Sequence, residues 1–372
     1  MDAYQSSSLK ELFDPPTGSL TSGLESVQLD KICPGGFSNL FTQLRRRSNL
    51  LTVTHVAYAC YFVTLANRIK RGGDQLKEAP MKKRSHRLMA ELRREIGLKI
   101  GIIGVGRLGH LLAKFLMRYG DVYPEELFLS SRQADLLTDM IETGVAFCKF
   151  NNAHIVENCD IVFICVAPHQ VRYVVDDIRD RIKPNVLIYH LILGFPALKL
   201  ASLLQHTYFI KPSYQLNTSI DQNESTWPIS DDIETVFKND ILMKRISLEN
   251  EDQNDSLIRD DDFIPTMFYA LLNVLKFNTT LNRIQSLRVI SALLFNNPNL
   301  DLIIETFRNL ETEQMNNTEF FPDFNLVHLK TEQSILRNLL DQNPKLRHLF
   351  SDTFISHYTP IIKQQQQQQQ QQ

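Results

Sequence analysis

Residues 98–120 read LKIGIIGVGRLGHLLAKFLMRYG. A strand-length run, Lys99–Ile103, meets a turn that holds Gly104, Gly106 and Gly109. Beyond it, apolar residues recur at helical spacing over Arg107–Tyr119. The chain has 14 glycines in 372 residues, and four of them lie between Gly101 and Gly109. Such a concentration marks a place where the backbone turns sharply, or where another group must come close to it.

Further along the chain, strand-length apolar runs recur at Leu127–Leu129, Val145–Phe150, Ile161–Val166 and Val186–Leu191, with a short one at Tyr208–Ile210. Helical periods lie between most of them, at Gln133–Glu142, His169–Ile182 and Ala197–Gln205. This alternation predicts right-handed crossovers and a parallel sheet covered on both faces. The fold class expected is α/β, a Rossmann-type doubly wound parallel sheet, with a helical N-terminal segment before it and a helical C-terminal region after it.

The expected organisation is therefore residues 1–97, with linkers and one apolar helix; 98–215, the sheet domain; 216–363, helical; and 364–372, a glutamine tail expected to be disordered. Residues 1–48 read as loose. The apolar helix spans 49–71 and has no charge from Asn49 to Asn67. Its length grazes the membrane-spanning range of about 17–25 residues. His55, Asn67 and several threonines dilute it, which favours a buried helix over a membrane span. The later helices are expected at Phe263–Lys276, Leu281–Phe295, Leu300–Leu310 and Thr331–Leu340, behind an acidic linker at Glu249–Asp262.

Composition narrows the function classes. With 43% apolar and 9% aromatic residues the chain can bury a large core. Forty basic against 42 acidic side chains leave a net charge of −2, which argues against nucleic acid or an anionic membrane as partner. The five cysteines, Cys33, Cys60, Cys148, Cys159 and Cys165, are odd in number and contain no Cys-x-x-Cys. That pattern fits neither a disulfide framework nor a zinc site, and suits a reducing, cytoplasmic setting. No metal-ligand spacing, P-loop or Gly-x-Ser-x-Gly is present, so no metal is expected.

Gly104-x-Gly106-x-x-Gly109 matches the dinucleotide fingerprint, with a strand before it and a helix after it. Gly104 would allow the tight turn, Gly106 would let a pyrophosphate approach the backbone, and Gly109 would let helix and strand pack closely. The helix-start amides of Gly106, Arg107 and Leu108 would face the phosphates. An NAD site places an acid at the end of the second strand. Here Ser130, Ser131 and Arg132 stand there, and hydroxyls with a guanidinium suit a 2′-phosphate. NADP is thus favoured, with NAD the lesser alternative through Asp135. Arg132 as an ordinary surface residue is the bland reading.

The segments IGIIGVGRLGHLLAKFL, FLSSR, NNAHIVENCDIVFICVAPHQV and HLILGF, in this order, resemble the pyrroline-5-carboxylate reductase family, and in particular a divergent branch of NADP-dependent oxidoreductase-domain proteins. The resemblance covers about Leu98–Tyr214. It implies a reductase that passes hydride from NADPH to a cyclic imine. It also implies cofactor contacts from Gly104, Val105, Gly106, Arg107 and Leu108, from Ser131 at the ribose phosphate and from Asn152 on the adenosine side. Cys165, Val166, Ala167 and Pro168 would lie along the nicotinamide half, as would Leu191–Gly194. There are departures. The family usually has Lys where this chain has Ala167, and a different segment where it reads IKPSYQ. The glycine-rich segment that forms the family's imine-acid pocket has no counterpart, since Gly194 is the last glycine.

Candidate proton donors or anion-binding groups near the nicotinamide end are His169, His190, Lys211, Ser213 and Tyr214; a surface position for His169 and a core position for His190 are the bland readings. The partner expected is a small-molecule substrate, with a homo-oligomer left open. Two function classes stand. One is an NADP-dependent oxidoreductase acting on an imine or carbonyl. The other is a nucleotide-binding regulator or scaffold without catalysis.

Overall fold

The computed structural model describes residues 37–77, 97–132, 137–216, 233–249, 257–297, 301–311, 321, 323–327 and 335–370. The chain opens with α1 (Phe37–Lys77). The sheet domain follows as β1 (Ile100–Ile103), α2 (Arg107–Tyr119), β2 (Leu127–Ser130), α3 (Thr138–Glu142), β3 (Ala146–Phe147), α4 (Asn152–Asn158) and β4 (Ile161–Ile164). It continues through α5 (Val171–Ile178), β5 (Leu187–His190), α6 (Ala197–Leu204) and β6 (Phe209–Ile210). A two-stranded antiparallel pair, β7 (Gln215–Leu216) and β8 (Ile258–Arg259), brackets α7 (Ile233–Phe237) and α8 (Asp240–Arg245). The rest is helical: α9 (Phe263–Asn278), α10 (Arg283–Phe295), α11 (Asp301–Glu311), α12 (Ile335–Gln342) and α13 (Pro344–Gln370).

The six main strands form one sheet in the order β3-β2-β1-β4-β5-β6, and every neighbouring pair is parallel. Side chains alternate between its faces, as a pleated strand requires. Ile100, Ile102, Leu127, Leu129, Phe163 and Tyr189 join one core, into which α1, α2 and α9 pack. Ile103, Val162, Ile164, Ile188 and Phe209 face the other way, onto α4, α5 and α6. Gly101 is on β1 because a Cβ there would lie 2.2 Å from Cγ2 of Ile155 on α4.

Helix α1 is the centre of the molecule. Residues 56–60 and Phe62, Val63, Leu65 and Ala66 are wholly inaccessible, so apolar residues surround the helix on all sides and are met by protein on all sides. The stretch Gln43–Gly72 is long and apolar enough to cross a membrane, and 78% of its most apolar window is buried within the protein. The polar residues that interrupt it are used. Fully buried Asn67 donates to the Asp121 carbonyl at 2.9 Å and accepts from the Leu98 amide at 3.0 Å. It thereby ties α1 to the chain entering β1 and to the chain leaving α2.

Several expectations change. Helix α1 starts at Phe37, so residues 37–48 are not loose. Asn152–Asn158 is a helix that periodicity did not separate from the strand before it, and β3 is only two residues long. The helix expected from His169 begins at Val171, after a 3₁₀ turn at Pro168–Gln170. The C-terminal helices do not form a separate body: Phe263, Leu287, Phe350 and Tyr358 belong to the same core as α1 and β1. The glutamine tract extends α13 through Gln370 rather than forming a coil. Glutamine is a good helix former, and extending an anchored helix is far easier than nucleating one. Asp135 and residues 1–36 lie outside the described residues.

Candidate dinucleotide-binding cleft

The glycine turn separates three physical demands. Gly104 has φ +90°, and a Cβ there would stand 2.5 Å from Cγ1 of Val166. Gly109 is buried, and its Cβ would stand 2.4 Å from the Gly104 carbonyl oxygen. Gly106 is the opposite: nothing lies within 4 Å of where its Cβ would be. It is the N-cap of α2, with extended backbone. No side chain caps this helix and no acid stands in its first turn. The positive end of the helix dipole thus faces open space at the carboxyl edge of the sheet, a favourable setting for an anion.

That space is a cleft of about 960 Å³. Ile103, Gly104, Val105 and Gly106 form its floor, Ser130, Ser131 and Arg132 one end, and Cys165, Val166, Ala167 and Gln170 the other. Asn152, buried to 2% exposure, fixes the middle. Its Oδ1 accepts from the Ser130 hydroxyl at 2.7 Å and its Nδ2 donates to Asp177 at 2.9 Å. This chain ties the end of β2 to α4 and α5. The Ser130 carbonyl in turn accepts from the Gly104 amide at 3.1 Å, holding the glycine turn against the neighbouring strand. Burial pushes the Cys165 thiol up to about 12, so it lines the cleft as a neutral, unreactive group.

The structure thus brings Gly104, Val105, Gly106, Ser131, Arg132, Asn152, Cys165, Val166 and Ala167 to one cleft. Arg107 and Leu108 follow at the start of α2, and Gly109 serves packing. Pro168, His169 and Gly194 are exposed and do not line the cleft; Gly194 sits at φ +67° in the loop after β5. Among the described residues no group of three or more His, Cys, Asp or Glu could hold a metal.

Lys211, His190 and Tyr214 form a second cluster, outside the lining of the cleft, where β5 and β6 end. His190 accepts from the Ile192 amide at Nδ1 (3.1 Å), so Nε2 carries the proton and donates to the Phe195 carbonyl at 2.9 Å. Burial, and then the Lys211 charge, lower its pKa to about 3. His190 is therefore a neutral clasp on the loop after β5, the core role anticipated for it. The Lys211 ammonium donates to the carbonyls of Ile192 (3.3 Å) and Phe195 in the same loop. Tyr214 meets His55, delivered by α1, with ring centroids 4.7 Å apart. Burial and Lys211 hold His55 at about 4. The Ser213 amide donates to Asp260.

Sequence reasoning missed Phe150, Tyr173, Asp176 and Asp177, all of which line the cleft. One signal was available for Tyr173. Val171, Val174, Val175 and Ile178 give α5 a clear buried face, and an aromatic residue on the opposite face departs from that pattern. His55 was noted only as a polar interruption, because nothing in the sequence tells which strand end a distant helix will meet.

The sheet order, with a glycine turn at the carboxyl end of its first strand, defines a Rossmann-type domain. Residues 99–190 match the family model described as "NADP oxidoreductase coenzyme F420-dependent". The chain is 24% identical to the mouse NADP-dependent oxidoreductase domain-containing protein 1 over 247 residues, 66% of this chain and 62% of that protein. It is 24% identical to pyrroline-5-carboxylate reductase 3 of Xenopus laevis over 102 residues, 27% of this chain and 35% of that protein. It thus spans about three-fifths of the mouse relative and about a third of the frog one. A solved pyrroline-5-carboxylate reductase from Coxiella burnetii aligns at 16% identity and a TM-score of 0.28, over 71% of this chain and 97% of that one. Over residues 99–190 the chain is thus similar to the domain that this family model describes.

Proposed function

We propose that the cleft binds NADPH and that the chain is an NADP-dependent oxidoreductase acting on an imine or carbonyl. One observation carries the reading. Gly104 and Gly109 are crowded to the point where a methyl group would collide with its neighbours, while Gly106 between them opens onto empty space at an uncapped helix start. Packing explains the first two glycines and leaves the third to a ligand. The amides of Gly106, Arg107 and Leu108 would hold the pyrophosphate. Ser131 and Arg132 would hold a 2′-phosphate, with no described acid at the end of β2 to repel it. When bound, the cofactor supplies hydride to the substrate. This chain's part is to hold the phosphates and keep the rim of the cleft rigid through Ser130, Asn152 and Asp177.

A second reading, a nucleotide-binding scaffold without catalysis, is favoured by a specific fact. None of His169, Lys211 and Tyr214 lines the cleft, and Lys211 is engaged by backbone carbonyls. Titration calorimetry with NADPH and NADH tests binding, and NADPH oxidation with a panel of cyclic imino acids and aldehydes tests turnover. NADPH heat with no turnover on any substrate supports the scaffold; no heat with either cofactor ends both readings. The free cysteines at 60, 148, 159 and 165 support the cytoplasmic setting proposed from the sequence.

A further inference from the structure

We infer that Phe150 and Tyr173 are the two walls that hold the purine base of the bound nucleotide, an assignment that rests on the cofactor reading above. Both rings line the cleft, yet Phe150 is 49% and Tyr173 70% exposed. Exposed aromatic rings beside a cleft have apolar faces to offer a planar partner. Their backbones are set in advance. Phe150 has φ +48°, a left-handed conformation that Gly or Asn adopts far more readily than a bulky residue. The loop that holds it is pinned at both ends. The Cys148 amide donates to the Leu129 carbonyl at 2.8 Å, the Asn151 amide to the Cys148 carbonyl at 2.7 Å, and the Asn151 side chain caps α4 through the His154 amide at 3.0 Å. Tyr173 stands on the rigid helix α5, on the face opposite its buried valines.

Their place in the cleft selects the base over the other parts of a dinucleotide. Phe150 lies two residues before Asn152, whose side chain joins Ser130 of β2. Asn152 also donates to Asp177 of α5, one helical turn after Tyr173, so both rings adjoin the Ser130–Asn152–Asp177 chain that leads to the end of β2, where Ser131 and Arg132 follow. A ring flanked by these aromatics would neighbour the carboxylates of Asp176 and Asp177, which accept hydrogen bonds. That chemistry suits an adenine, whose exocyclic amino group donates. The unusual backbone at Phe150 is consistent with a site where conformation is held for a ligand.

The experiment is calorimetry of the full chain with three probes: NADPH, adenosine 2′,5′-bisphosphate and nicotinamide mononucleotide. The variants are Phe150→Ala, Tyr173→Ala and Tyr173→Phe, all at exposed positions, with melting curves recorded alongside. Removing either ring should weaken NADPH and the adenosine bisphosphate by about 5- to 20-fold, in line with base–aromatic stacking. Tyr173→Phe should bind as the parent does, and the mononucleotide should respond to none of them. If the parent binds NADPH and both alanine variants bind it equally well, the base assignment is overturned while the cofactor reading stands. Losses confined to the mononucleotide overturn it too, by placing the rings at the wrong end. If the parent binds neither NADPH nor the adenosine bisphosphate, the cofactor reading fails and takes this assignment with it.

Discussion

The imidazole of His55 packs against the phenol ring of Tyr214, with centroids 4.7 Å apart and planes tilted by 56°. One residue comes from the first described helix and the other from the chain just beyond the last strand of the sheet. Burial, and then the Lys211 charge, lower the His55 pKa to about 4 and keep the ring neutral. His190 is lowered to about 3, and His357, which meets the Tyr119 carbonyl at 3.1 Å, to about 4, in both cases first by burial.

The histidines should therefore make this protein lose stability as pH falls below about 6.5, above the range in which ordinary carboxylates titrate. Each of these histidines binds a proton in the unfolded chain below about pH 6.5 and refuses it in the folded one down to about pH 4. Their contribution is full above pH 6.5 and declines as pH falls, by at most about 1.4 kcal/mol per unit for each group. Urea unfolding at pH 7, 6 and 5 should show a shallower decline in His55→Gln than in the parent. Parallel curves would mean that His55 is protonated in the fold.

Glu249 should act in the opposite direction. It is 3% exposed, paired with Arg347 at 2.5 Å, and burial raises its carboxyl to about 7. Between about pH 4.5 and 7 the folded chain keeps a proton that the unfolded chain has lost, so this group makes stability fall as pH rises through that window. The stability difference between Glu249→Gln and the parent should grow in the variant's favour across that window, again by at most about 1.4 kcal/mol per unit. A difference constant with pH would show an ordinary carboxylate held by Arg347.

The glycine turn allows a split between binding and stability. Gly109→Ala puts a methyl group against the Gly104 carbonyl and should lower stability by roughly 1–3 kcal/mol or more, as overpacking does. Gly106→Ala meets nothing in the protein and should melt like the parent, while losing the heat of NADPH binding. An equal drop in melting temperature for both variants would make Gly106 a structural glycine.

Arg132 tests the choice of cofactor. Arg132→Ala should weaken NADPH by ~10–100-fold, since a charge-assisted bond is worth about 1.5–3 kcal/mol. NADH affinity should stay near that of the parent. Equal losses with the two cofactors would remove the 2′-phosphate role.

The sheet was legible because its strands are short, continuously apolar and spaced by helical periods, so that Arg107–Tyr119 could be bounded to the residue. The packing roles of Gly104 and Gly109 were legible because a strand-to-helix turn and a close helix–strand approach each require a missing Cβ. What the sequence hid is tertiary. Asn152–Asn158 is too short for periodicity to announce it. Phe150 has a left-handed backbone that no residue preference would suggest. The candidates His190 and Lys211 turned out to hold a loop because their partners are backbone carbonyls of residues 192–195, and carbonyls leave no trace in residue identity.

The ribosome releases α1 before α9 and α13, which pack around it. The Tyr58 hydroxyl accepts from the Leu248 amide, 190 residues later, and the Ala57 carbonyl accepts from Tyr358, 301 residues later. The sheet can assemble from neighbours in the chain, but the helix at the heart of the molecule must wait for α9 and α13 to be made. Throughout that interval the nascent chain carries an apolar helix of membrane-spanning length with no finished surface to bury it, the condition that invites aggregation and chaperone capture. Long-range closure of this kind also slows folding. Synthesis halted before Tyr358 would therefore leave a sheet domain with its central helix still open on one side.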